Sequence, residues 1–400
     1  MKPSNIKNRG TQTQAIHAGE YPDAASGASA PNIVMSSTFV VDEPVSFSAQ
    51  NIDVDTPYVY TRWANPTIMQ LEVKLATLEG TESCAAFASG MAASSSVLLS
   101  FLSQGDHLII SHTNYPGTAE FARNTLPRMG ISVTTVDTSN LHNIRAALKP
   151  NTRLIWIETP SNPLLNITDI KQAADIAHNH KALLAVDSTF ATPIATRANE
   201  LGADLIIHSL TKYIGGHGDA MGGAVLGRRE HIGFLRNEGI IHQGGIISPF
   251  NAWLIMRGMA TLPIRMKAHE ENAFAVAKFL ETHPRVELVR YPGLKSHPGH
   301  DLARQQMNNF SGMMVFRVNS PDTLAQKMME KLEVFHYAVS LGHHRSLIYL
   351  MQTKDLINAS FELEGQQLRD YRDIAGEGLF RVSVGLEDHQ DLIDDLDAVL

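Results

Sequence analysis

The stretch Asp204-Leu205-Ile206-Ile207-His208-Ser209-Leu210-Thr211-Lys212-Tyr213-Ile214-Gly215-Gly216-His217 decides how this chain is read. A short apolar strand runs into Ser-x-Thr-Lys and then into a loop rich in glycine. An aldehyde cofactor that carries a phosphate asks for that set. The amine forms a Schiff base, while hydroxyls and backbone N–H groups hold the phosphate. Taken alone, the tetrapeptide reads more plainly as a solvated lysine after a buried strand. The rest of the chain reverses that balance.

Four hundred residues exceed one small core and suit two domains. With 44% apolar and 18% charged residues the composition is that of an ordinary globular protein. A net charge of −8, with no dense Lys/Arg run, argues against a nucleic-acid partner. The single cysteine, Cys84, excludes an intrachain disulfide and fits a reducing, cytoplasmic setting. It lies in a buried strand pattern and reads as a small core residue. The first residues lack the apolar core of a signal peptide, and no stretch is long and apolar enough to span a membrane.

Residues 1–62 are rich in Gly, Pro, Ser and Asp and read as an extended arm. Asn65-Pro66 then opens a helix with Ile68, Leu71, Leu75 and Leu78 at helical spacing, and Gly80 closes it. Seven apolar strands follow, near 84–88, 108–110, 133–136, 154–157, 183–186, 205–207 and 224–226, with helical stretches between most of them. Apolar residues at consecutive positions predict strands covered on both faces, hence a largely parallel α/β sheet in residues 63–256. After Pro249 a long helix is expected from Phe250 to Phe279, kinked at Pro263. It leads into a smaller α+β domain, residues 257–400, with strands near Met313–Val318 and Phe380–Val384.

Ligands of open parallel α/β sheets sit at the carboxyl ends of the strands. The segments that follow these strands are Ser89-Gly90-Met91, Asn114-Tyr115-Pro116-Gly117, Glu158-Thr159-Pro160-Ser161-Asn162-Pro163, Asp187-Ser188-Thr189 and Ser209-Leu210-Thr211-Lys212. Ser89-Gly90-Met91 opens a helix of small residues and offers free N–H groups to an anion. Asp187 closes an apolar strand, where a carboxylate is costly without a cationic or hydrogen-bonded partner. A pyridinium N–H would be such a partner. A helix cap is the plainer reading of Asp187 alone, but Asp187 and Lys212 on one sheet resist that reading.

These segments resemble the γ-family of pyridoxal-phosphate enzymes that act on cysteine, methionine and homoserine derivatives. The likeness runs from Ile16-His17-Ala18-Gly19 to Phe380-Arg381-Val382-Ser383-Val384-Gly385. It takes in Tyr60-Thr61-Arg62, Asn65-Pro66-Thr67, Phe190, Tyr213 and Ser340-Leu341-Gly342. The resemblance implies a fold-type I architecture and pyridoxal 5'-phosphate as cofactor. By the same resemblance Lys212 would carry the cofactor and shuttle protons, and Asp187 would hold the ring nitrogen. Tyr115 would stack on the ring and protonate the leaving group. Gly90, Met91, Ser209 and Thr211 would bind the phosphate, and Tyr60 and Arg62 would reach the phosphate of a neighbouring subunit. Arg381, with Ser340 and Asn162, would grip the substrate carboxylate. A homotetramer built of dimers with shared active sites is implied, and no metal site.

The activity implied is γ-elimination on a methionine- or homoserine-type amino acid, giving a 2-oxo acid and ammonia. The alternative is γ-replacement, by an O-acylhomoserine sulfhydrylase or a cystathionine γ-synthase or γ-lyase. Members using cystathionine often carry Glu before the Ser-Leu-Gly motif, where this chain has Val339. Methionine γ-lyases often carry Cys two residues after the stacking Tyr, where this chain has Gly117, and Lys-Asp where it has Ile240-Ile241. The family more often has Tyr-Gly at Tyr115-Pro116. His343-His344-Arg345 reads either as a solvated loop or as a polar lid over an unusual leaving group such as the oxyguanidine of canavanine. Glu43, Asp55 or Glu120 would then face the cation. His297-Pro298-Gly299-His300 reads as a turn, and His178 and His180 as solvated helix-end residues. A dehydrogenase is disfavoured because no Gly-x-Gly-x-x-Gly follows the first strand. A non-catalytic protein on the same scaffold is disfavoured because Lys212, Asp187 and Arg381 are all present.

Overall fold

Two sheets carry the molecule in its computed structural model, which describes residues 6–42, 44 and 57–400. The first has seven strands in the order β1-β7-β6-β5-β4-β2-β3. They are β1 (Ser83–Phe87), β2 (His107–Ser111), β3 (Ser132–Val136), β4 (Thr152–Glu158), β5 (Leu183–Asp187), β6 (Leu205–Ser209) and β7 (Gly223–Gly227). Strands β2 to β6 pair in parallel, and only β7 runs against its neighbours. The strand centres are apolar on both faces because two separate cores cover them. Ile109, Ile155, Val186 and Ile206 face one core, and Leu108, Leu154, Ala185 and Ile207 face the other.

The helices that cover this sheet are placed by local signals. After α1 (Thr11–His17) comes α2 (Pro66–Glu79), capped by Asn65, whose Oδ1 accepts from Thr67 N at 2.9 Å, and closed by Gly80 in the left-handed region. Ser89 caps α3 (Gly90–Phe101), and α4 (Pro116–Asn124) follows Tyr115. The remaining helices of this part are α5 (Leu141–Ala147), α6 (Ile170–Asn179), α7 (Thr192–Ala195) and α8 (Arg229–Leu235).

The expected long helix is two: α9 (Pro249–Met259) and α10 (Leu262–Thr282). Pro263 stands in the first turn of α10, where its missing N–H costs nothing, so it begins a helix and does not kink one. The second sheet has the order β10-β11-β12-β9-β8, with β8 (Leu288–Arg290), β9 (Met313–Arg317), β10 (His336–Tyr337), β11 (Leu347–Gln352) and β12 (Gly378–Ser383). Only β9 and β12 were expected. β8 and β10 are too short to show a period, and β11 (Leu-Ile-Tyr-Leu-Met-Gln) is apolar without alternation.

The expected arm is docked over part of its length. α1 packs on α2, and the buried Lys74 of α2 donates to Ala15 O at 2.8 Å and Ile16 O at 3.0 Å and pairs with Glu20. Asn65 and Thr67 bond the backbone of Val34, and Trp253 Nε1 donates to Pro31 O at 2.9 Å. His178 does more than meet solvent, since its Nε2 lies 2.8 Å from the buried Asp204 carboxylate. His297 sits in the expected turn and His300 opens the short helix that follows it, each bonded to a backbone carbonyl. Among the described residues no helix is long and apolar enough to cross a membrane.

One buried cation locks the loop after β6 to the helices behind it. Arg265 of α10 donates to Tyr213 O and Gly258 O, both at 2.8 Å, and to Ile214 O at 3.3 Å. Arg265→Met would strand these buried carbonyls, each worth roughly 1 kcal/mol or more. Thermal denaturation of this variant is expected to show a melting temperature lowered by several degrees.

Candidate active site

Parallel strands end at one edge, so their following segments converge there. A cavity of about 870 Å³ opens at that edge and reaches to β11 and β12 of the second sheet. Gly90, Met91, Tyr115, Asn162, Asp187, Ser209, Thr211, Lys212, Ser340 and Arg381 all line it. Tyr60 and Arg62 do not. Tyr60 is exposed, Arg62 lies over its ring at 5.5 Å from the centroid, and Arg62 donates to Ile241 O of the same chain.

The cavity is an electrostatic balance of two carboxylates and two cations. Asp187 ends β5, and its Oδ1 accepts from Thr189 N at 3.0 Å. Burial pushes its carboxyl up, towards the neutral acid. Thr189 in turn accepts from Ser209 N at 2.9 Å, which ties the ends of β5 and β6 together. Lys212 Nζ donates to Ser340 Oγ at 2.8 Å. Burial, then the Arg381 charge, lower its amine to about 8. Arg381 of β12 donates to Asn162 Oδ1 and to Ser340 O, both at 3.1 Å, and burial lowers its guanidinium to about 10.

The residue that sequence reasoning passed over is Glu158, at the end of β4. Its Oε2 accepts from Tyr115 N and its Oε1 from Asn162 N, both at 2.7 Å. One carboxylate thus fixes the loop bearing Tyr115 and the loop bearing the Arg381 partner. Burial, then the Asp187 charge, push it well above the usual carboxylate range. Its signal was available: like Asp187, it is an acid closing an apolar strand.

Close packing shapes the site further. A β-carbon at Gly117 would lie 2.7 Å from the Tyr115 ring and 2.9 Å from Met91 Sδ. The Tyr115 ring occupies the space that a cysteine at 117 would need. A β-carbon at Gly342 would lie 2.5 Å from Tyr213 N, and Gly342 N donates to Ser383 Oγ at 2.8 Å. The 340–342 loop therefore presses on the backbone that bears Lys212. Ser340 has φ +88°, a conformation costing roughly 1 kcal/mol or more outside glycine.

Other expectations meet a different arrangement. His343 and His344 are half-buried beside Ser340 and Gly216 and are not among the residues that line the cavity. Glu120 accepts from Ser360 Oγ at 2.7 Å and is not on the cavity wall. Glu43 and Asp55 lie outside the described residues. The carboxylates on the outer wall are Asp322 and Asp355 instead. Ile240 and Ile241 are buried core.

Residues 12–400 match the family described as Cys/Met metabolism PLP-dependent enzyme. The chain belongs to that family. It is 41% identical to a canavanine gamma-lyase of Pseudomonas canavaninivorans, over 100% of this chain and 99% of the relative. It is 41% identical to an L-methionine gamma-lyase of Porphyromonas gingivalis (99% and 98% covered) and 42% identical to a cystathionine gamma-synthase of Mycobacterium leprae (98% and 97% covered). Its fold matches the crystal structure of metB from Corynebacterium glutamicum with a TM-score of 0.88 at 38% identity, covering 100% of this chain and 99% of that one. The chain is a pyridoxal-phosphate-dependent enzyme with the fold-type I architecture, as its motifs imply.

The residues present fit the cofactor. The N–H groups of Gly90 and Met91 lie in the first turn of α3 and have no partner within the helix. A β-carbon at Gly90 would sit 3.0 Å from Ser209, so the helix start and the Ser209 hydroxyl form one tight anion cradle. Asp187, raised by burial, is the group that a ring N–H would restore to its charged form.

In cofactor-free protein, labelling of Lys212 by an amine-selective reagent is expected to follow a midpoint near pH 8 in place of the ordinary 10.5. Peptide mass mapping across pH 6–11 measures it. Glu158→Gln leaves one acceptor oxygen for two backbone donors, and its NH₂ opposes one of them. That variant is expected to lose roughly tenfold or more in kcat/KM, since misplaced loops bear Tyr115 and Asn162.

Proposed function

We propose that the protein is a γ-elimination lyase for an L-amino acid of the methionine or homoserine type with a leaving group on Cγ. Net, the Cγ–X bond breaks, X departs with a proton, and water replaces the amino group, leaving a 2-oxo acid and ammonia. The observation that carries this reading is the Lys212 amine, lowered to about 8, facing the same cavity as the Arg381 guanidinium. Such an amine is a competent base near neutral pH.

When bound, the cofactor ring supplies an electron sink for the charge left at the substrate Cα. Asp187 would hold the ring nitrogen. Gly90, Met91, Ser209 and Thr211 would hold the phosphate, joined by Tyr60 and Arg62 of a neighbouring subunit. Arg381, oriented by Asn162 Oδ1 and Ser340 O, would bind the α-carboxylate. Lys212 Nζ would take the proton from Cα and then one from Cβ. The Tyr115 hydroxyl would hand a proton to the leaving atom and its ring would stack on the cofactor.

Relatives named L-methionine gamma-lyase and canavanine gamma-lyase support elimination, and Val339 stands on the cavity wall where members using cystathionine often carry Glu. A second reading concerns the leaving group. Asp322 and Asp355 on the outer wall favour a cationic substituent such as the oxyguanidine of canavanine. We also place the enzyme in the cytoplasm, supported by its single, buried cysteine, and as a homotetramer of dimers. The exposed Tyr60, outside its own chain's cavity, supports the shared site.

Borohydride is expected to fix the cofactor to Lys212, and Lys212→Ala to lose the visible absorption band and at least about a thousandfold in turnover. Products are to be assayed with methionine, canavanine, cystathionine, and O-acetylhomoserine plus sulfide. A 2-oxo acid from methionine or canavanine supports the proposal. Thioether formation alone, or inertness towards all four, overturns it. Sedimentation of an active monomer would remove the shared site.

A further inference from the structure

We propose that His343 is a positioning residue for Lys212, acting through the Ser340 hydroxyl whose direction it sets. The inference rests on the base role proposed for Lys212. Ser340 Oγ receives the Lys212 amine at 2.8 Å, and His343 Nε2 lies 3.4 Å from that same oxygen. Ser340 Oγ, on the cavity wall, is the atom that the other two groups share.

These contacts are held by packing. Gly342 lets the 340–342 loop press on the Tyr213 backbone, and Ser340 takes its left-handed conformation there. Gly218 makes the seat for the imidazole: a β-carbon at that position would lie 2.8 Å from His343 Cε1 and Nδ1. A solvated loop histidine needs no such seat.

A serine hydroxyl has one hydrogen to give and two lone pairs to offer. With the His343 ring neutral and Nε2 accepting, the hydrogen points at the ring and the lone pairs face Lys212, which favours the charged amine. With the ring charged, Nε2–H takes a lone pair and the hydroxyl hydrogen turns to Nζ, which favours the free amine. One proton on His343 therefore reverses both hydrogen bonds. The charged or titratable groups around the ring are Lys212, His344, Arg345 and Asp219. Burial chiefly, then the Lys212 charge, lower the ring from 6.5, so it is neutral at neutral pH and the reversal falls on the acid side.

The test uses the holoenzyme, following both the cofactor's absorption and product formation from pH 5 to 9.5. Three proteins are compared: the unsubstituted one, His343→Gln and His343→Leu. Glutamine offers Ser340 an acceptor at every pH but takes no proton. The unsubstituted protein is expected to show an absorption inflection below pH 6.5 that is absent in His343→Gln. His343→Leu is expected to shift the Lys212-linked midpoint by about half a pH unit or more. Its kcat is expected to fall about five- to tenfold with KM little changed. An acid-side inflection that survives in His343→Gln, or midpoints identical in all three proteins, overturns the proposal. If His343→Leu does not fold, the glutamine variant decides alone. Borohydride labelling of each protein separates the two levels. A label on Lys212 with unchanged pH behaviour rejects only the role of His343, whereas no label on Lys212 in the unsubstituted protein rejects the proposed function itself.

Discussion

Two cations and two carboxylates share one half-buried cavity, and the rest of the site depends on their balance. Lys212 and Arg381 repel each other, and burial penalises both. Glu158 draws Arg381 towards it, and Asp187 stands at the end of the neighbouring strand. Glu158 is the counter-charge of Arg381, so removing it leaves a buried cation without its counterweight, which is the costly case for a protein interior. The parallel sheet makes the balance possible. Glu158, Asp187 and the Ser209–Lys212 segment arrive at one edge because β4, β5 and β6 run in the same direction in successive register. Arg381 arrives from the other sheet, so the cavity exists only while the two sheets stay docked.

Polar contacts to backbone add to the apolar core in that docking. Arg265 binds carbonyls on both the post-β6 loop and α9, while Tyr213 Oη accepts from Gly312 N at 3.2 Å. The 340–342 loop is fastened to Ser383 of β12 on one side and pressed on Tyr213 on the other. The segment that carries Lys212 therefore has little freedom apart from its own side chain. The role proposed for Lys212, a base serving two carbons in turn, would need that division: a fixed backbone and a mobile amine.

Much of this was legible in the sequence because it is written in local chemistry. Consecutive apolar positions announced a sheet covered on both faces, and an acid or a lysine after such a strand announced its edge. Asn65-Pro66 and Gly80 marked both ends of α2. What stayed hidden depends on distance in space. β8 and β10 are too short to carry a period, and α9 and α10 meet at a break with no strong breaker, Pro263 lying inside the second helix. Glu158 carried the same signal as Asp187, but its task, bonding Tyr115 N and Asn162 N across two loops, has no trace in spacing. His343 read either as part of a solvated loop or as part of a polar lid, because nothing local shows that Gly218 would come to leave room for its ring.

The difference between what the motifs determine and what the cavity wall determines explains why family and reaction separate. The motif residues proposed to hold the cofactor and the α-carboxylate would serve parts that every substrate of the family shares, so they say little about the leaving group. On the proposed reading, discrimination among leaving groups would fall to Met329, Tyr337, Val339, Tyr349, Asp322 and Asp355, which line the cavity from the second sheet, its flanking helices and the loop after β10. These are scattered singly along the chain and have no spacing to recognise. A wall of apolar and aromatic side chains accepts a thioether, and a methylene more or less shifts such binding by only about 1–3 kcal/mol. A cation is another matter, because its desolvation must be met by a fixed carboxylate. Asp322 already accepts from Gln352 Nε2 at 2.7 Å, which holds its carboxylate in place on the wall. A carboxylate so held loses less freedom when a guanidinium docks than one free to swing, so on the proposed second reading selectivity for a charged leaving group would rest chiefly on Asp322.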